Sequence, residues 1–243
     1  MTQRTKLGMI VAEFFGTAVL TSTVLAQSHA IGAILNKPWF VGCVAGLTLG
    51  LLVLTIGKVS GAHVNPAVTI GLWTLRKIET TTAVVYIAAQ LLGAAVALRL
   101  FQYLQGDVLA NMAGRFDWRV FVAEAMGALV FTFGIAAAVT QKYEGYKAAL
   151  TMGTSLMLGA IIASTASNGI LNPAVALGLN SWSWTYAAAP VLGAVLGMNI
   201  YDLFLAPVSE LKLSPKPTSL IDVTSPKSST KKKASKKSKK SKK

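Results

Sequence analysis

Two asparagines, Asn65 and Asn172, each stand directly before a proline in near-identical segments, HVNPAVTIG at 63–71 and ILNPAVALG at 170–178. An asparagine in this setting can cap a helix and present its amide outward. The proline suits the first helical position, where its missing N–H would find no partner anyway. This is binding chemistry, not covalent chemistry. The two histidines, His29 and His63, are far apart in sequence, and the chain carries no metal-spaced Cys/His cluster and no glycine-rich phosphate loop. No catalytic residue, metal or cofactor is therefore expected, and an enzyme is not the reading.

The elements around these pairs explain the proline. From Pro66 to about Arg76 the sequence predicts a helix of 11 residues, about 16 Å at a rise of 1.5 Å per residue. A second helix, from Pro173 to about Asn180, is shorter. The first covers about half of a hydrocarbon core roughly 30 Å thick, and the second less. The stretches before them, SGAHV and SNGIL, are tolerable at membrane depth only where they line a polar cavity.

The chain repeats itself. VAEFFGTAVL and VAEAMGALVF place Glu13 and Glu124 alike, and each half then reaches its own Asn-Pro-Ala-Val. The glutamates are 111 residues apart (124 − 13) and the asparagines 107 (172 − 65), so the halves are nearly colinear. With three spans in each, the second half enters from the opposite side. Such inverted repeats place functional sites at their interface near the midplane. An Asn-Pro turn outside the membrane is the alternative for a single motif, but not for two at equivalent points.

Composition sets the class. Of 243 residues 53% are apolar and 13% charged, with a mean hydropathy of +0.55, outside the range of ordinary soluble domains. Apolar runs near 8–27, 39–58, 82–103, 118–139, 148–166 and 184–206 are each about the 20 residues needed to span a bilayer. Glu13, Thr17, Thr21, Ser22 and Thr23 interrupt the first, which argues against a cleaved signal peptide. The single cysteine, Cys43, excludes an internal disulfide. The fold expected is an all-α membrane protein of six spans and two half-helices, with a membrane domain over 1–207 whose halves are about 8–110 and 118–207.

The formal net charge of +14 is concentrated at one end, since twelve of the 23 basic residues lie between Lys212 and Lys243. The stretch 208–243, rich in Lys, Ser and Pro, has little to bury and reads as a disordered tail. A simply solvated tail is one reading. Attraction to anionic lipid headgroups is another, at about 1 kcal/mol per Lys near a cytoplasmic surface. Nucleic acid ranks third, because the tail holds no aromatic or arginine to stack on bases. Arg4, Lys6, Lys58, Arg76, Lys77, Lys142 and Lys147 fall on the tail's side of a six-span chain. Both termini are therefore expected to be cytoplasmic in a multi-pass cell-membrane protein.

These residues resemble the aquaporin and glycerol-facilitator family. SGAHVNPAVT at 60–69 is close to its first signature, and AEFFGT at 12–17, AQLLGA at 89–94 and IYDLFLAP at 200–207 resemble its first, third and sixth helices. The resemblance implies a narrow pore through each subunit of a homotetramer in the lipid bilayer. It implies that Asn65, Pro66 and Ala67, with Asn172, Pro173 and Ala174, bring two amides to permeating oxygens. It implies a ladder of acceptors from the backbone carbonyls of Gly61, Ala62 and His63 and of Asn168, Gly169 and Ile170. Glu13 and Glu124 become buried scaffold, bonded to backbone N–H groups of the loops.

The second motif departs from the family. Where typical members continue with arginine, this chain has Val175. The other three positions of the constriction to which that arginine belongs match Ala45, Ala160 and Gly169. The filter expected is Ala45, Ala160, Gly169 and Val175, which has no charge, no ring and little volume. Water and small neutral solutes such as glycerol, urea, ammonia and hydrogen peroxide are then the expected permeants. An ion-coupled transporter would place charges in its pathway, and Glu13, Glu124, Arg99 and Asp202 are not near the motifs in sequence. A membrane anchor working through its lysine tail, with a degenerate pore, is the other alternative; two intact motifs argue against it.

Overall fold

The computed structural model describes residues 3–29, 37–111 and 114–207. The lysine-rich tail and the expectations placed on it lie outside the described residues. Among the described residues eight helices form: α1 (Gln3–Ser28), α2 (Pro38–Ser60), α3 (Pro66–Thr74), α4 (Thr80–Gln105), α5 (Trp118–Thr140), α6 (Gly145–Ala163), α7 (Pro173–Gly178) and α8 (Trp184–Phe204). Six are long and apolar enough to cross a membrane.

Local sequence sets the helix ends. Pro38, Pro66 and Pro173 each occupy the first turn of a helix. Asp117 opens α5 by accepting a hydrogen bond from Arg119 N at 2.7 Å. Gly106 closes α4 at φ +71°, a left-handed turn that costs glycine little. The half-helices are shorter than expected, at nine and six residues. Arg76 and Asn180 take left-handed turns at φ +56° and +52° just beyond them. Helix α6 runs three residues earlier than its apolar run, 145–163 rather than 148–166. The Ser167 hydroxyl turns back to Ala163 O at 3.0 Å and ends it.

The two halves interlock. Helix α1 packs on α2 and α4, α5 on α6 and α8, and α2 on α6. Each half-helix lies partly against the other half: α3 on α8, and α7 on α1 and α4. Gly46 and Gly153 let α2 and α6 approach backbone to backbone; a methyl on either would sit 2.5 Å from the other's carbonyl oxygen. Small residues at such crossings are how membrane helices gain packing where lipid supplies no hydrophobic drive. Leu47, Leu54, Leu92 and Leu150 are exposed along the outside of the spans, as a lipid-facing surface requires.

Candidate functional site

The site starts from two carboxylates. Glu13 and Glu124 are fully buried, and a buried carboxylate is costly unless it is bonded. Glu13 Oε1 accepts from the Ser60 hydroxyl at 2.6 Å and from His63 N at 3.0 Å, and Oε2 from Val64 N and Gln90 Nε2, both at 2.7 Å. Glu124 repeats most of this: Ser167 Oγ at 2.7 Å, Ile170 N at 3.0 Å and Leu171 N at 2.7 Å. Each serine hydroxyl in turn accepts from the backbone N–H two residues on, Ala62 N at 3.1 Å and Gly169 N at 2.9 Å.

These bonds hold a backbone that would not persist alone. Gly61, Ala62 and Val64 sit at φ +93°, +50° and +42°, and Gly169 and Leu171 at +62° and +53°. Positive φ is a genuine outlier for a β-branched residue such as Val64, at a cost of about 1–3 kcal/mol per residue. The carbonyl oxygens of Gly61, Ala62, His63, Asn168, Gly169 and Ile170 take no part in the backbone–backbone bonds of the turns and loops among the described residues. The first three border one cavity and the last three another.

The asparagines meet at the centre. Asn65 Oδ1 accepts from Ala67 N at 2.8 Å, and Asn172 Oδ1 from Ala174 N and Val175 N at 3.0 and 3.3 Å. Asn65 Nδ2 donates across the repeat to Leu171 O, and Asn172 Nδ2 to Val64 O, both at 2.9 Å. Each amide has two N–H groups, so one is tied to the opposite loop and one is left over. Both asparagines border the same cavity.

Two cavities line the axis. The far cavity, about 300 Å³, opens where α1 ends, and Ala45, Ala160, Gly169 and Val175 all lie in its wall. Among the described residues that wall contains no Asp, Glu, Lys or Arg. The near cavity, about 570 Å³, opens where α1 begins and is bordered by Lys58, Lys77, Lys142, Glu79 and Glu144.

A model of the family described as Major intrinsic protein matches residues 1–201. The chain belongs to that family. Aquaporin NIP6-1 of Arabidopsis thaliana is 33% identical over 220 residues, covering 83% of this chain and 69% of that one. Aquaporin-1 of Rattus norvegicus is 34% identical over 179 residues, covering 68% and 66%. The X-ray structure of the aquaglyceroporin from Plasmodium falciparum shares the fold, with a TM-score of 0.70 at 22% identity, covering 85% of this chain and 99% of that one. As a major intrinsic protein the chain is a multi-pass membrane channel for water or small solutes rather than an enzyme.

Sequence reasoning passed over Ser60, Ser167, Gln90 and the cross-repeat bonds of the asparagines. The serines had a signal, since each precedes its motif by five residues (65 − 60 and 172 − 167). Gln90 had none, because it reaches Glu13 only through the packing of α4 on α1.

Proposed function

We propose that this major intrinsic protein conducts water together with small uncharged solutes, glycerol, urea, ammonia and hydrogen peroxide among them, through a wide apolar filter of Ala45, Ala160, Gly169 and Val175. The observation that carries this is their common place in the wall of one uncharged cavity that Asn65 and Asn172 also border. Alanine, glycine and valine supply neither a fixed donor nor a ring, so they orient a polyol no more than water and reject it less by size. The carbonyls of both loops and the spare N–H of each asparagine are the polar partners along the path.

Cations and protons are excluded without the arginine. The positive N-terminal ends of α3 and α7 meet at the centre, and half-helix dipoles of this kind are a barrier to cations. Dehydrating an ion against an apolar wall adds a large cost. The channel works as a homotetramer in the cell membrane with both termini cytoplasmic. Lys58, Lys77 and Lys142 at the near mouth favour that orientation, and the lysine tail contacts anionic headgroups.

Stopped-flow light scattering on proteoliposomes tests the filter. The native chain should pass both water and glycerol, and Val175→Arg should lose glycerol flux about tenfold more than water flux, the scale of one misfitting group in a pocket. Equal loss of both would sink the wide-filter account.

A further inference from the structure

Resting on the channel reading above, we infer that the size-selecting point of the pore is not the ring of Ala45, Ala160, Gly169 and Val175. It is a neck deeper in the membrane, at Leu49 and His63. The ring residues all border the far cavity and none borders the near one. A ring lying within one open space does not divide it. Among the described residues the two cavities share only Leu49 and His63 in their walls.

Neighbouring helices place the boundary at one level. On α5, Phe131 borders the far cavity and Ile135, one turn on, the near one. On α6, Leu156 borders the far cavity and Met152, one turn back, the near one. On the first loop Asn65 faces the far side and Ala62 the near side, with His63 bordering both. Leu49 and Leu156 are 107 residues apart (156 − 49), the same offset as the two asparagines, so they are partners under the repeat.

The neck is held on both sides. Gly46 and Gly50 flank Leu49, and their backbone is pressed on α6: a methyl at Gly46 would meet Gly153 O at 2.5 Å, and one at Gly50 would meet Ala149 O at 3.3 Å. Helix α2 therefore cannot retreat toward α6 to widen the passage. Leu49 is itself buried, at 2% exposed. His63 Nδ1 lies 3.2 Å from Thr69 Oγ1, and its ring stands edge-on to Tyr86 with centroids 5.3 Å apart. Close-packed interiors yield little to such a load. The opening thus has one fixed apolar wall and one fixed polar wall, and it favours neutral solutes that carry both C–H and O–H faces. Leu49 is a specificity-determining residue, and solute length and girth are judged there.

The test compares glycerol, erythritol and xylitol fluxes in proteoliposomes holding the full chain. Leu49→Ala should raise the erythritol-to-glycerol permeability ratio about tenfold, and Leu49→Val should raise it less. Leu47→Ala, on the lipid-exposed side of α2 at 75% exposed, should leave the ratio as it is. If Leu49→Ala does not fold, Leu49→Val decides alone. The neck is overturned if native flux is present but neither Leu49 variant moves the ratio. A larger rise with Val175→Ala than with Leu49→Ala also overturns it and returns selection to the far ring. Native flux no greater than that of empty liposomes overturns the channel reading and the neck together.

Discussion

The two halves of this chain solve one problem with unequal means. In the first, Glu13 takes four hydrogen bonds, one of them from Gln90 on a neighbouring span. In the second, Glu124 takes three, all from its own loop. The segments AAQLLGAA at 88–95 and AAPVLGAV at 188–195 align Gln90 with Pro190, so the fourth donor has no counterpart. Gln90 also donates to Thr69 Oγ1 at 3.0 Å, which brings in His63. The first loop is thus a polar network anchored in α1 and α4, while the second is a simpler cradle that ends in Val175.

Removing each carboxylate is the most severe way to probe this asymmetry. Glu13→Ala strands four donors and Glu124→Ala three, at about 1–3 kcal/mol for each one left buried without a partner. Both variants should lower thermal stability sharply in detergent, Glu13→Ala more so, as read by fluorescence-detected size exclusion after heating. Equal losses would mean that Gln90 contributes nothing beyond the shared three bonds.

Swapping the backbone devices comes next. Gly169 sits at φ +62°, and a methyl there would lie 2.7 Å from Ala160 O, so Gly169→Ala should cost at least the roughly 1–2 kcal/mol of a left-handed alanine. Its partner by the 107-residue offset is Ala62 (62 + 107 = 169), at φ +50°. Ala62→Gly should relieve part of that strain and raise the melting temperature by a few degrees, about 1 kcal/mol or less. A fall in melting temperature for Ala62→Gly would show that the first loop gains from its methyl.

Gln90→Leu probes the extra donor by itself. It should give the first half the three-donor cradle of the second while also removing the bond to Thr69, with a stability loss of about 1.5–3 kcal/mol, the scale of a hydrogen bond to a charged group. Water flux in proteoliposomes should change little, because Gln90 borders neither cavity. A large loss of flux without a loss of stability would mean that the network sets the pose of His63 and, through it, the passage.

Much of the architecture was legible because membrane physics writes it in simple signs. Spans need long apolar runs, and all six helices fall within a few residues of theirs. The half-helices were legible from Asn-Pro, although they stop earlier than apolarity suggested, since left-handed turns at Arg76 and Asn180 follow them. Glu13 and Glu124 stood out as carboxylates inside apolar runs. Their loop N–H partners were expected as a class, but the individual bonds were not. Gln90 and the cross-repeat bonds from Asn65 and Asn172 were illegible, because they join residues 77 and more than 100 positions apart.

What the sequence determined by itself is therefore the class of the molecule: the spans, the repeat and the two amides. Each of these follows from residue type and spacing along one chain. Only the tertiary structure decided that Ala45, Ala160, Gly169 and Val175 share one cavity, and that Leu49 and His63 stand where two cavities meet. The reason is geometric. Spacing along a chain fixes which face of a helix a residue occupies, whereas the width of a passage depends on how closely α2, α5, α6 and the first loop approach one another. That approach is set by pairwise contacts such as Gly46 on Gly153, which no single segment encodes.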